Sequence, residues 1–428
     1  MPDHLANAFG VLKRQIINSP ASPYSRIREE FDSGISSLRS VNLLGSLQGL
    51  PRDLRLLFLA LFLWTFGLGV YNFVWPLYLT QLNANPEQVG LVASVGAVSA
   101  AVSMIPGGIL ASKYDTKFLL ILGWAGSIPC PIIFYYAGIW RDVIPGMVLL
   151  SVTAFNIPAM NLFIVELADK TKRSSAFGAV YAAAPMGLIV SPALGGLLLN
   201  WVSIRELFWV TLAFWTASTL ILLPVKPKRP LSIDSNARLL ELPKSSLEIA
   251  VLLLLFGGAA ALSITSPSYL PLFLQGHYGL TASQINLLGS FQALGSAVFT
   301  ILLGRWASTR NEGSTIAKQL LLVSAGMVGV LVAGSPFLLA PLVFLVGGAR
   351  APSPVAYSIL SRVRKGKSRT GQFGFYLTFE QLGFFVGALI GGFLYSRSPE
   401  SVFITTAILL LLFAALSGLR IRRPTAEE

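Results

Sequence analysis

Cysteine occurs once in this chain of 428 residues, at Cys130, and histidine twice, at His4 and His277. One cysteine allows neither an intrachain disulfide nor a thiolate metal site, and two isolated histidines argue against a zinc or haem centre. Charged residues make up only 12% of the chain. The acids are scattered rather than grouped with histidine, so a membrane enzyme such as a lipid-linked transferase lacks the groups it would need. No cofactor and no metal are expected, and the chain is not expected to be an enzyme.

Apolar residues fill the space those groups leave. They amount to 54% of the chain, and the mean hydropathy is +0.68. A helix needs about 20 apolar residues to cross ~30 Å of hydrocarbon. Stretches of that kind fall at 54–82, 88–111, 118–139, 143–165, 174–199, 205–224, 247–274, 282–304, 316–334, 337–361, 371–395 and 401–419. These are spans 1 to 12 of an all-α polytopic membrane protein.

The net charge of +13 raises the question of nucleic acid. The placement of the charge answers it. Of the 32 Lys and Arg, only Arg141, Arg205 and Arg397 fall in the loops on one side, and Arg350 lies within a span; the other 28 fall in the terminal segments and the loops on the opposite side. That asymmetry is the positive-inside rule. It places both termini in the cytoplasm of a multi-pass cell-membrane protein whose surroundings are the lipid bilayer, and it makes nucleic-acid binding unnecessary. Residues 1–53 form a cytoplasmic arm without the uninterrupted apolar core of a signal peptide. Its stretch from Ser25 to Leu50 mixes apolar residues with Arg26, Arg28 and Arg39, a pattern open to an amphipathic surface helix or to a disordered tail.

The chain repeats itself at an offset of 196. Arg173, Phe177, Gly178, Gly187, Val190, Gly195, Gly196 and Leu198 recur as Arg369, Phe373, Gly374, Gly383, Val386, Gly391, Gly392 and Leu394. The same offset carries Gly108 onto Gly304, Pro158 onto Pro354, and Gln88 and Ser94 onto Gln284 and Ser290. Two homologous six-span halves follow, at 54–224 and 247–419, with a proline-broken cytoplasmic linker at 225–246 and a short tail at 420–428. An even number of spans per half gives both halves the same orientation, which leaves the space between them at mid-membrane as the natural substrate site.

Three segments carry a family resemblance. Between spans 2 and 3 stands Gly108-Ile-Leu-Ala-Ser-Lys113-Tyr-Asp115-Thr-Lys117; between spans 4 and 5 an acidic-to-basic loop runs from Glu166 to Gly178. In span 5, Gly178, Gly187, Ser191-Pro192 and Gly195-Gly196 follow at fixed spacing. With these the chain resembles the major facilitator superfamily of secondary transporters across 54–420. The first segment departs from the family's G-x-L-A-D-R-x-G-R-K at Ser112, where the acid stands, so Asp115 is the residue left to supply a lock between the halves. The third resembles the span-5 motif of the family's antiporters, departing at Ser191. The resemblance implies twelve helices, alternating access and export by exchange, with gating roles for Gly108, Lys113, Asp115, Lys117, Arg173, Gly178, Gly187, Pro192, Gly195, Gly196, Gly304 and Arg369. Small residues at such intervals also serve simply to let helices approach closely.

Glu380 is the one acid well inside a span, and a carboxylate there is costly enough to mark a functional site. Arg350 lies about 12 residues, and Glu380 about nine, from the same membrane face, which at ~1.5 Å per residue gives depths of roughly 18 and 14 Å. Two readings follow. Either Glu380 takes up and releases a proton, with Arg350 favouring its ionised form in one state only, or the two form a permanent ion pair clamping spans 10 and 11. The resemblance implies that spans 1, 4, 7 and 10 line the cavity, which makes Asn72, Trp75, Asn156, Tyr269, Arg350 and Tyr357 candidate substrate contacts. The expectation is a monomeric, proton-coupled exporter of small amphipathic or drug-like molecules. Its alternatives are an uptake symporter for a sugar or an organic anion anchored by Arg350, and a non-transporting sensor on the same scaffold.

Overall fold

The computed structural model describes residues 49–169, 173–226, 246–265, 268–309, 311–350, 352–363 and 369–421. The expected amphipathic segment of the arm and most of the 225–246 linker lie outside the described residues. Among the described residues eleven helical segments are long and apolar enough to cross a membrane, and the shorter Leu207–Leu222 takes the place of span 6.

The packing of these helices obeys the sequence repeat. In the first half, span 1 (Arg52–Asn72, continued by Trp75–Gln81) packs on span 5 (Arg173–Tyr181 and Ala183–Leu198) and span 6. In the second, span 7 (Ser246–Thr265, continued by Leu270–Tyr278) packs in the same way on span 11 (Arg369–Arg397) and span 12 (Pro399–Arg420). Span 2 (Pro86–Lys113) lies on span 4, as span 8 (Ala282–Thr309) lies on span 10 (Leu339–Gly347 and Pro352–Val363). Across the halves, span 2 meets span 11 and span 5 meets span 8, two contacts that the repeat makes equivalent. The halves pack into one compact unit.

Local chemistry explains why particular residues recur. The turn after span 1 places Asn83 at φ 61°, and the turn after span 7 places Gly279, exactly one repeat later in number, at φ 64°. Asn and Gly are the residues that tolerate this left-handed conformation. Span 2 then starts with a capping box: Gln88 N–H donates to Asn85 Oδ1 at 2.8 Å, and Asn85 N–H to Gln88 Oε1 at 2.9 Å. Span 8 starts likewise, with Thr281 N–H donating to Gln284 Oε1 at 2.9 Å and Gln284 N–H to Thr281 Oγ1 at 3.3 Å. The identity of Gln88 and Gln284 is thus a helix-start signal used twice.

The halves are shut at the end remote from the termini. There the Asn286 amide donates to the Val70 carbonyl at 2.8 Å, Ser94 Oγ to the Phe385 carbonyl at 3.0 Å, and Ser396 Oγ to Glu87 at 3.0 Å. Toward the termini, Gly108 on span 2, Gly178 on span 5 and Gly304 on span 8 face open space where a Cβ would stand.

Candidate functional site

Proline shapes the site. It has no N–H, and its ring collides with the carbonyl four residues back. Pro76 thus breaks span 1 at Phe73-Val74, where Val74 N–H turns back to the Tyr71 carbonyl at 3.0 Å. The Val70 carbonyl is left to Asn286 of the other half. In span 10, Pro352 and Pro354 force a 3-10 turn at Gly348–Arg350, and Gln319 Nε2 reaches the freed Gly348 carbonyl at 3.3 Å. Span 4 carries the corresponding 3-10 turn at Thr153–Phe155 ahead of Pro158. The breaks in spans 1 and 10 sit beside Asn72 and Arg350.

Those two residues face a cavity of about 130 Å³ between the halves. Phe73 of span 1, Leu188 and Pro192 of span 5, Leu262 of span 7, Gln292 and Ser296 of span 8, and Val346 of span 10 complete much of its wall. Among the described residues Arg350 is the one ionisable residue lining it. A wider apolar crevice between spans 2 and 4, lined by Val102, Pro106 and Phe155 among others, carries no charged group.

Glu380 lies outside that wall and is held by span 10. Ser353 Oγ donates to its Oε1 at 2.8 Å, and the Tyr357 hydroxyl donates to its Oε2. Ser353 and Tyr357 are four residues apart and so share one helix face. Among the described residues Arg350 makes no ion pair with Glu380; its guanidinium stands 5.4 Å from the centre of the Phe384 ring, one turn further from the termini. Ser353 and Tyr357, nearer the termini on span 10, take the carboxylate instead. The permanent clamp expected as one alternative is therefore not formed in this conformation.

Glu380, Gly383 and Gly387 fall on one face of span 11, and the glycine stripe of that face stays within its own half. Cβ atoms added at Gly383 and Gly387 would strike the backbone of Phe256 and Ala260 in span 7. In span 5, Gly187 packs in the same way on Thr65 and Phe66 of span 1, whereas Gly196 touches Ser283 and Leu287 of the other half, and Gly195 touches both halves. The motif thus has two functions, packing within a half and closing between halves. Ser191, where the family motif has Gly, is buried with its Oγ fitted against Gly69, which has no side chain to oppose it.

Of the six expected substrate contacts, the structure brings Asn72 and Arg350 together on the cavity wall. Trp75 sits in an aromatic cluster with Tyr71, Tyr78, Phe134 and Phe208. Asn156 points at Gly123 of span 3, its amide filling the place of the missing side chain. Tyr269 is buried at the closed end, where its hydroxyl reaches the Ala388 carbonyl at 3.0 Å and the Pro86 carbonyl at 3.3 Å. Tyr357 binds Glu380.

Asp115 accepts from Phe118 N–H at 3.1 Å and so caps span 3 rather than reaching the other half. Lys113 is exposed and Lys117 half-buried, Arg173 is half-buried at the start of span 5, and the Arg369 side chain lies outside the described residues. Span 5 runs as a helix through Pro192; its interruption falls at Ala182, ahead of Pro185, while span 11 is continuous. Gln292, Ser296 and Asn286 were not among the expected residues. Their signal was a polar series on span 8 at 286, 290, 292 and 296, unusual in an apolar span.

The chain matches the Major Facilitator Superfamily over residues 57–269 and 251–428. The multidrug resistance protein MdtG of Klebsiella pneumoniae (strain 342) is 25% identical over 380 residues, covering 82% of this chain and 89% of that one. The multi-drug resistance efflux pump PmrA of Streptococcus pneumoniae serotype 4 is 26% identical over 330 residues, covering 74% and 82%. A crystal structure of the nucleoside transporter NupG superposes with a TM-score of 0.71 at 12% identity, over 87% of this chain and all (100%) of that one, a likeness of fold alone.

Proposed function

This chain belongs to the Major Facilitator Superfamily, and from that premise we propose that it exports small amphipathic, drug-like molecules across the cell membrane in exchange for protons, as a monomer. The observation that carries the reading is the cavity between the halves, shut at the end remote from the termini, while Gly108, Gly178 and Gly304 stand uncovered toward them. With the 28 basic residues of the terminal side in the cytoplasm, that uncovered side faces the cell interior, where an exporter loads. The multidrug relatives support the same direction.

Glu380 is the proton carrier in this reading. Its carboxylate ties span 11 to the segment of span 10 that follows Arg350. Hydrogen bonds to an ionised acceptor are roughly twice as strong as neutral ones, so protonation loosens that tie and frees the segment beside the cavity to shift. The coupling thus runs through span 10 rather than through the glycine stripe. In proteoliposomes, Glu380→Gln is expected to abolish proton-driven accumulation of a fluorescent drug while downhill exchange persists. Accumulation at the wild-type level would remove Glu380 from the mechanism.

A further inference from the structure

We propose that the transported molecule carries an oxyanion, a carboxylate, sulfonate or phosphate ester, and that Arg350 is its docking site. The inference rests on the cavity being the substrate site and adds the charge of what it takes. Arg350 is the one ionisable residue on the wall, so no acid of the wall balances it. The acid nearest in the fold, Glu380, is engaged by Ser353 and Tyr357, and the guanidinium faces the Phe384 ring instead. Among the described residues the guanidinium has no hydrogen-bond acceptor, although it is exposed to the cavity.

A guanidinium presents a planar fork of donors that fits an oxyanion with two parallel bonds. Held between apolar helices, with the Glu380 carboxylate near enough to act on its charge but not in contact with it, it bears a desolvation cost that a bound anion offsets further, a neutral guest leaves in place, and a cation increases. Asn72 supplies an amide on the same wall, and Phe73, Leu188, Leu262 and Val346 offer an apolar face to the body of the molecule. An interior-negative membrane potential drives an anion outward, so this charge suits export.

Two probes that share one ring system test the charge alone: 1-naphthalenesulfonate and trimethyl(1-naphthyl)ammonium, titrated calorimetrically against the full chain in nanodiscs. The wild type is expected to bind the sulfonate at least tenfold more tightly than the ammonium. Arg350→Gln should erase that preference and Arg350→Lys should keep it. Asn72→Asp, which leaves Arg350 in place, should weaken the sulfonate about tenfold and spare the ammonium, so the test does not depend on one variant folding. A wild type that binds the ammonium equally or better, or binds no sulfonate, overturns the proposal, as does an Arg350→Gln protein with its preference intact. Binding has no direction. A protein that selects the sulfonate but moves it only inward refutes export and leaves the anion site standing.

Discussion

The Gly-Gly pair that ends span 5 and its copy in span 11 make the account's sharpest mechanical claim. A Cβ at Gly196 would stand 2.8 Å from the Ser283 carbonyl oxygen and 3.2 Å from the Leu287 nitrogen, where ordinary contact begins at 3.4 Å. Both atoms belong to span 8 of the opposite half, and both are backbone. One repeat later, a Cβ at Gly392 would meet Glu87 Cα at 2.9 Å and the Pro86 carbonyl oxygen at 3.0 Å, again across the halves. Overpacking of this kind costs about 1–3 kcal/mol. Because the clash exists only while the remote end is shut, the whole cost falls on one side of the conformational equilibrium, which corresponds to a shift of about 5- to 150-fold. Gly196→Ala and Gly392→Ala should each shift the protein toward opening at that end. The readout is alkylation of a cysteine introduced as Ser94→Cys in a Cys130→Ala background, since Ser94 is fully buried in the contact with span 11. Gly187→Ala is the control: its Cβ would strike Thr65 and Phe66 of its own half, so it should lower the melting temperature without raising alkylation. Unchanged alkylation in folded Gly196→Ala protein, or an equal rise with Gly187→Ala, refutes the division of the motif into packing and closing glycines.

Other residues separate in the same way. Asn72→Ala should weaken binding of a transported drug severalfold at unchanged stability, whereas Asn156→Leu should destabilise the protein, because Gly123 leaves room only for the amide; equal effects on binding would put Asn156 in the site after all. Cysteines introduced as Asn85→Cys and Gly276→Cys, both at exposed positions, should react with an impermeant maleimide in intact cells, and reaction only after permeabilisation would invert the proposed orientation. Pro192→Ala should fold, since its repeat partner is Ala388, yet exchange poorly because Pro192 lines the cavity; normal exchange would reduce the span-5 motif to packing and weaken the case for export.

The sequence made the architecture legible because its signals are periodic and local. Span lengths, the repeat offset and the capping glutamines each report a feature that a few neighbouring residues determine. Asn72 and Arg350 were legible for a related reason: a polar group in an apolar span must face something other than lipid. Contacts between helices were harder, because they depend on rotation and depth together. Counting residues put Arg350 at a depth similar to that of Glu380, but its guanidinium turns to the Phe384 ring, while Ser353 and Tyr357, about one and two turns nearer the termini, take the carboxylate. Tyr269 lies on a span expected at the cavity, yet it sits where the helices have already closed. Asn286 answers a carbonyl released by a proline 210 positions earlier in number, a relation no local pattern expresses.

Direction of flux tests the central claim most directly. The protein would be reconstituted into vesicles with its orientation fixed, preloaded with acid inside or outside, and supplied with a fluorescent amphiphile. With the terminal face outward and the lumen acid, the account predicts that the amphiphile accumulates inside and that collapsing the proton gradient releases it. Accumulation only when the remote face is outward, or accumulation indifferent to the gradient, would contradict proton-driven export.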